Sequence, residues 1–165
     1  MLDQNALDTL FNNARSHNGW LDSDVSNEQI NQIYELMKYG PTAANNSPAR
    51  ITFVKSAAAK QKLKAHLDEG NVEKAMAAPV IAIISYDIEF YEKLPFLFPH
   101  ADARSWYAGN DAKIKSAGEM NATLQGAYFM MAARSVGLDC GPMGGFNSDT
   151  LDKEFFADGK TKSIF

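Results

Sequence analysis

The stretch Val80-Ile81-Ala82-Ile83-Ile84-Ser85-Tyr86 is a nearly continuous β-branched run. A run of this length and composition predicts a strand that is buried on both faces. A shorter strand is predicted at 51–54, and alanine-rich residues 57–67 and a further turn or two around 72–77 are predicted to be helical between the two strands. Because helices alternate with few strands, the chain is expected to form one α+β or α/β layered domain spanning residues 1–165.

The longest predicted helix spans residues 113–136, and its second half, 124–136, is apolar on most sides. Such a helix must be covered all round, either as a central core helix or as part of a subunit interface. Gly137 ends this helix, and residues 138–140 are predicted to re-enter the sheet. The remaining predicted elements are helices at 3–15, from Ser26 to Gly40 and from Ser148 to Phe156, and the start of a strand at 163–165.

Composition limits the classes of function. The 165 residues include 16 Lys and Arg against 20 Asp and Glu, a net charge of −4, which gives no support to a nucleic-acid surface. The single cysteine, Cys140, excludes an intramolecular disulfide, and the three scattered histidines make an all-protein metal site unexpected. We identify no signal peptide and no membrane-spanning run, so a cytoplasmic location is predicted.

Standard catalytic motifs are absent, including the Walker loop, the dinucleotide-binding glycine fingerprint and the nucleophile elbow. Three short segments have chemistry that suits a ligand. Residues 15–17 combine a cation, a hydroxyl and an imidazole that could hold a phosphate, or form an ordinary solvated helix end. Residues 41–48 could present amides to a cofactor or form a plain connection. Residues 141–146 could let a flat ligand approach the backbone or form a simple turn.

Six segments, in order along the whole chain, resemble the FMN-dependent nitroreductase superfamily, and more closely its RutE-type subfamily of malonic semialdehyde reductases. These segments are Ala14-Arg15-Ser16-His17-Asn18-Gly19-Trp20, Gly40-Pro41-Thr42-Ala43-Ala44-Asn45-Asn46-Ser47-Pro48-Ala49-Arg50, Gly70-Asn71-Val72-Glu73-Lys74, Phe90-Tyr91-Glu92-Lys93-Leu94-Pro95, Phe98-Pro99-His100-Ala101-Asp102-Ala103-Arg104-Ser105-Trp106 and Gly137-Leu138-Asp139-Cys140-Gly141-Pro142-Met143.

The resemblance implies a homodimeric three-layer α/β/α sandwich with a small mixed, mainly antiparallel sheet and FMN in each subunit interface. It also assigns the cofactor contacts. The implied FMN-binding residues are Arg15, Ser16 and His17 at the phosphate, Thr42, Ala43, Asn45 and Asn71 at the flavin ring, and Pro142, Met143 and Gly144 near the reactive nitrogen. Lys74 would lie where the nicotinamide or the substrate approaches. No metal is implied.

The implied activity is NAD(P)H-dependent reduction of a small aldehyde, such as malonic semialdehyde to 3-hydroxypropionate, in pyrimidine degradation. NADH and NADPH both remain open. A substrate carboxylate would need a cation, and Arg104 is the hypothesis for that contact, with a surface salt bridge as its alternative. Trp106, beside it in the sequence, is a further candidate substrate contact. The other functions left open are a nitroaromatic or quinone reductase and a truncated, non-catalytic flavin-binding or structural dimer.

The sequence departs from the resembled pattern at three places. Gly19 stands where many members have a basic residue near the flavin, so backbone amides or another chain would have to meet the negative charge of reduced flavin. Ser47-Pro48-Ala49 replaces the usual Gln-Pro-Trp, which matches the subfamily and weakens an inference to nitroaromatic substrates. The chain is also expected to lack the last strand of the family and a tail whose basic residue reaches the phosphate.

Overall fold

The computed structural model describes residues 1–165 and contains one three-stranded sheet. Its strands are β1 (Ala49–Val54), β2 (Ile81–Asp87) and β3 (Thr161–Ser163), in the order β1-β2-β3. Both pairings are antiparallel, so the parallel component expected of a mixed sheet is absent from this sheet. β2 is the central strand with partners on both sides, and its residues Ile83 to Tyr86 are buried, as its β-branched run predicts.

Seven α-helices surround the sheet, joined by short 3₁₀ turns. Their bounds are α1 (Gln4–Leu7), α2 (Asn27–Met37), α3 (Ala57–Lys64), α4 (Glu69–Ala77), α5 (Leu94–Leu97), α6 (Asp111–Ser135) and α7 (Ser148–Phe155). The predicted N-terminal helix divides into α1 and a π-helical segment, Asp8–Asn12. Ser26 and Gln29 form a capping box at the start of α2, and Asn147 caps α7, which therefore begins at Ser148 as predicted.

The helices cover both faces of the sheet, which gives three layers. On one face Leu63 of α3 and Leu151 of α7 pack with Val54 and Ile83. On the other face α6 lies against β1 and β2, and α2 packs on α6. Two glycines let α6 approach the sheet closely, because a Cβ at Gly118 would lie 2.3 Å from the Tyr86 ring and one at Gly126 would lie 2.5 Å from the Phe165 ring.

One predicted element is wrong. Residues 138–140 do not join the sheet, and Cys140 instead makes an isolated parallel bridge with Ser16. The physical reason is that α6 ends in a left-handed Gly137, which turns the chain towards the N-terminal segment rather than along β1 or β3. No helix is both long and apolar enough to cross a bilayer.

Candidate functional site

The bridge between Ser16 and Cys140 fixes the end of the N-terminal helix against the glycine-rich segment. The backbone N–H of His17 donates to the carbonyl oxygen of Cys140 at 3.1 Å, and His17 Nε2 lies 3.6 Å from Asp139 Oδ1. Arg15 is exposed, and its Nη1 donates to the carbonyl oxygens of Asn12 and Ala14 at 2.9 and 2.7 Å. Its Nε and Nη2 groups make no hydrogen bond within the protein and remain available to an anion.

Two glycines allow three segments to meet at this place. A Cβ at Gly141 would lie 2.3 Å from the carbonyl oxygen of His17, so only glycine permits the backbone contact. A Cβ at Gly145 would lie 2.3 Å from Asn71 Nδ2 and 2.9 Å from Asp68 Oδ2. The residues 15–20, 68–74 and 140–145 therefore form one compact cluster, which we call the phosphate-side cluster.

Helix α4 presents the polar residues of this cluster from its first two turns. Asn71 Nδ2 donates to the carbonyl oxygen of Gly145 at 2.9 Å, which leaves Asn71 Oδ1 without a protein partner. The Trp20 indole donates to the carbonyl oxygen of Lys74 at 2.7 Å, and Lys74 Nζ lies 3.4 Å from Asn18 Oδ1. The ammonium group of Lys74 is thereby placed beside the loop that contains Gly19.

A cavity of about 730 Å³ adjoins this cluster and has a mostly apolar lining. Four of the predicted site residues line it: His17, Lys74, Pro142 and Met143. Its volume lies within the range of small-molecule pockets. Cys140 also lines the cavity, and burial raises the pKa of its thiol, so this group is neutral near pH 7 and is not an activated nucleophile.

The predicted residues Thr42, Ala43 and Asn45 lie in a second place, the loop 42–49. None of them lines the cavity, and no hydrogen bond joins this loop to the phosphate-side cluster. The loop is held instead by α6 and by the segment after β2, because Asn121 Oδ1 accepts from the Ala43 N–H at 2.8 Å and Asn45 Nδ2 donates to the Leu97 carbonyl oxygen at 3.2 Å.

The backbone of this loop is strained. Ala44, Asn45 and Ser47 have φ values of 49°, 51° and 39°, in the left-handed region that non-glycine residues rarely adopt. Asn46 lies among them, is 1% exposed, and has no hydrogen-bond partner in the protein for either side-chain atom. Backbone strain and an unpaired buried amide within four residues are features that concentrate at functional sites.

Arg104 and Trp106 lie on the surface in the 3₁₀ turn Ala103–Trp106, whose first residue belongs to the apolar cluster on which Ala44 of the loop packs. Arg104 makes a bidentate ion pair with Glu92, in which Nε donates to Oε2 and Nη2 donates to Oε1, both at 2.7 Å. This pair raises the pKa of Arg104 and lowers that of Glu92. Trp106 is 42% exposed and packs on Phe98. The edge of Arg104 that could bind a substrate carboxylate is therefore already paired with Glu92. This arrangement corresponds to the surface salt bridge that the sequence leaves open as the alternative role of Arg104.

The structure thus divides the predicted residues into two groups. The phosphate-side cluster contains Arg15, Ser16, His17, Asn71, Lys74, Pro142, Met143 and Gly144, and the loop group contains Thr42, Ala43, Asn45, Arg104 and Trp106. No group of three or more His, Cys, Asp or Glu side chains is arranged to hold a metal ion. Sequence reasoning missed Asn121, Gln125 and Trp20. The signal for the first two is the presence of amides at positions i and i+4 within a mostly apolar helix.

Comparison with known proteins agrees with this architecture. Residues 13–164 match the sequence profile of the Nitroreductase family. A relative from Ralstonia nicotianae, designated an NADH dehydrogenase/NAD(P)H nitroreductase, is 55% identical over 164 residues, which is 99% of this chain and 84% of the relative. The chain therefore belongs to the Nitroreductase family, and the expected nitroreductase-like α+β fold is confirmed.

Two solved structures show the same fold at low identity. An NAD(P)H:FMN oxidoreductase from Staphylococcus epidermidis superposes with a TM-score of 0.86 at 19% identity, covering 99% of this chain and 85% of the other. A nitroreductase from Exiguobacterium sibiricum, solved in complex with FMN, gives a TM-score of 0.84 at 17% identity, covering 99% and 86%.

Proposed function

We propose that this protein is an FMN-dependent NAD(P)H oxidoreductase that reduces a small aldehyde, with malonic semialdehyde as the substrate to test first. The observation that carries the proposal is the phosphate-side cluster, in which three distant segments bring a guanidinium with free Nε and Nη2 groups, a hydroxyl, an amide and an ammonium together beside an apolar cavity. Family membership and the FMN named in the complex of the Exiguobacterium protein support the same cofactor.

The residues present fit FMN at its two ends. Arg15 and Ser16 are exposed and lie next to each other, and the free Nε and Nη2 of Arg15 could bind a phosphate through two parallel hydrogen bonds. Asn71 is fixed by Gly145, and its free Oδ1 could accept from the ring N–H of the flavin. The Gly145 carbonyl oxygen also accepts from the Asp68 N–H at 3.0 Å, which orients the glycine-rich segment.

When bound, FMN would supply the chemistry of hydride transfer between a reduced nicotinamide and the substrate. The chain itself would supply binding, orientation and charge. Lys74 lies beside Asn18 and Gly19. Its ammonium group could therefore stabilise the negative charge of reduced flavin, in place of the basic side chain that Gly19 does not provide. The apolar cavity lining would exclude water from that place.

We further propose that the functional unit is a dimer, in which the loop group of one copy faces the phosphate-side cluster of the other. Support comes from the separation of the two groups within one chain. It also comes from a stripe of exposed apolar side chains on α6, where Met120, Leu124 and Tyr128 are 57%, 46% and 44% exposed at i, i+4 and i+8. A stripe of this kind marks an interaction surface.

The experiment begins with purified protein saturated with FMN. We expect an absorption band at about 450 nm, set by the cofactor itself, that bleaches when NADPH or NADH is added without oxygen. A preparation that cannot be reconstituted with FMN would refute the cofactor. Comparison of kcat/KM for malonic semialdehyde and for a nitroaromatic then decides the substrate class.

The intersubunit arrangement has its own test. Arg15→Ala and Asn45→Ala are each expected to weaken FMN binding at both sites of a homodimer. A heterodimer of the two variants combines the intact Arg15 of one copy with the intact Asn45 of the other, so one of its two sites is restored. Recovery of about half of the tight FMN sites is expected for an isolated heterodimer. No recovery would mean that each site is built within a single chain.

Reduction of nitroaromatics is the second candidate, because the Ralstonia relative at 55% identity carries that designation. The two activities use the same cofactor and differ in what binds over it. A carboxylated aldehyde needs a cation, whereas a nitroaromatic needs a flat apolar surface such as that of Trp106. A higher kcat/KM for the nitroaromatic would favour this second function.

A further inference from the structure

Two buried amide side chains of α6 hold the two ends of the loop 42–49. Asn121 Oδ1 accepts from the Ala43 N–H at 2.8 Å, and Gln125 Oε1 accepts from the Ala49 N–H at 2.9 Å. The two residues are 1% and 6% exposed. Because they are four positions apart, they lie one above the other on the same face of the helix.

The Asn121 side chain is fixed at its other end as well. Its Nδ2 donates to the Ala117 carbonyl oxygen at 2.8 Å, so the amide orientation is defined and its oxygen faces the loop. Within the loop, Thr42 Oγ1 accepts from the Ser47 N–H at 3.2 Å, and the N–H groups of Asn45 and Asn46 donate to the carbonyl oxygens of Thr42 and Ala43 at 3.1 and 3.0 Å. The two contacts from α6 therefore lie at the ends of the segment, and these local hydrogen bonds lie between them.

Between these contacts the backbone is in a conformation that it would not adopt alone. The left-handed φ values at Ala44, Asn45 and Ser47 cost conformational energy and persist only when surrounding contacts impose them. The contacts with Asn121 and Gln125 are such constraints, because a buried amide N–H that loses its acceptor is strongly disfavoured. α6 is the longest helix and packs on the sheet, so it provides a rigid frame for both.

We propose that Asn121 and Gln125 are positioning residues that hold the strained loop in the conformation that contacts the flavin. This inference rests on the proposed function, which places Thr42, Ala43 and Asn45 against the ring. Neither amide is itself required to touch the cofactor. Their effect is on the geometry of the loop and therefore on the affinity for FMN.

The test uses full-length apoprotein and measures two quantities: hydrogen exchange of the amides in 43–49, and the Kd for FMN from quenching of flavin fluorescence. Asn121→Leu and Gln125→Met remove the accepting oxygens at similar volume. We expect faster exchange at the loop amides and an increase in Kd of about tenfold or more, which corresponds to the loss of roughly one well-formed contact. Gln125→Glu keeps an accepting oxygen and is expected to stay within about threefold of wild type.

Asn110→Ala is the matched control for stability. Asn110 caps the same helix by accepting from the Lys113 N–H at 3.0 Å and makes no hydrogen bond with the loop. Its loss should lower the melting temperature while leaving loop exchange and Kd unchanged. If Asn121→Leu does not fold, the pair Gln125→Met and Gln125→Glu provides the same comparison.

The outcomes separate this inference from the proposed function. Wild-type protein that does not bind FMN refutes the proposed function directly. Wild-type protein that binds FMN, with Gln125→Met and Asn121→Leu binding it equally well, overturns the positioning role. The role is also overturned if Gln125→Glu is as impaired as Gln125→Met, or if Asn110→Ala weakens FMN binding as much as they do.

Discussion

Substitution of Gly145 by alanine should impair cofactor binding while leaving the fold nearly intact. The new Cβ would lie 2.3 Å from Asn71 Nδ2, more than about 1 Å short of an ordinary van der Waals contact. The atom that must yield is the end of a side chain rather than backbone, and Gly145 does not have a left-handed φ, so the backbone accepts alanine. The Asn71 amide is therefore expected to swing away from its place.

The magnitude follows from the contact that is lost. The hydrogen bond from Asn71 to the Gly145 carbonyl oxygen, 2.9 Å long, contributes a net of about 0.5–1.5 kcal/mol. Because Asn71 is half-buried, its amide can turn to water, and the melting temperature should fall by no more than about 6 °C. If Asn71 makes the proposed contact with FMN, loss of a contact of similar strength should raise the Kd for FMN by about 2- to 12-fold.

The assay is a double-mutant cycle of FMN affinity with Gly145→Ala, Asn71→Ala and both together. If alanine at 145 acts by displacing Asn71, the double variant should bind FMN as Asn71→Ala does, because the same contact cannot be lost twice. Gly70→Ala is the matched control, since a Cβ there meets no atom within 4 Å. If the increases in the Kd for FMN caused by the two single substitutions multiply in the double variant, the reasoning is refuted.

Three further predictions concern the rest of the molecule. Burial, aided by neighbouring carboxylates, raises the pKa of Tyr86 to about 12. Between pH 10 and 12 this tyrosine therefore ionises in the unfolded chain alone, so the free energy of unfolding is unaffected below pH 10 and falls as the pH rises through this range. Tyr86→Phe should abolish this fall, which is on the order of 2–3 kcal/mol, in alkaline unfolding curves. Asn46→Leu removes two unpaired buried polar atoms and should raise the free energy of unfolding by about 1–2 kcal/mol in urea titrations, whereas a loss would mean that the amide is satisfied. Glu92→Gln releases Arg104, so the KM of this variant for malonic semialdehyde should be lower than that of the wild type, and the KM of Arg104→Ala should be higher. KM values equal to that of the wild type in both variants would mean that Arg104 does not bind the substrate.

Much of the fold could be predicted because its elements follow local rules. The β-branched run 80–86 and the long helix from Asp111 need only their own composition to be recognised. The segment 138–140 is mispredicted because a short Leu-Asp-Cys segment after a helix has the same composition whether it joins a sheet or makes a single bridge. The outcome depends on Gly137, which turns the chain at the end of α6, and on Gly141, whose missing side chain lets Cys140 reach the N-terminal segment.

The candidate site could be predicted only as separate segments. Nothing in the sequence indicates that residues 15–20 and 140–145 meet in one chain while the loop 42–49 lies elsewhere, because that division depends on how the helices pack on the sheet. The roles of Asn121 and Gln125 could not be predicted from the sequence for a related reason. The spacing of the two amides at i and i+4 places them on one face of the helix, but it does not distinguish a surface position from a contact with a loop more than 70 residues away.

The two groups also differ in how they are stabilised, and this difference bears on function. In the phosphate-side cluster, backbone segments contact each other closely without strain because glycine has no side chain. The loop 42–49, in contrast, combines three left-handed residues with an unpaired side-chain amide at Asn46. A loop with these costs would relax if its only role were to connect α2 to β1. It persists because α6 holds both ends, and such an arrangement is expected where a rigid geometry must be ready before a ligand arrives. Substitutions that relieve the strain should therefore stabilise the fold and weaken binding together.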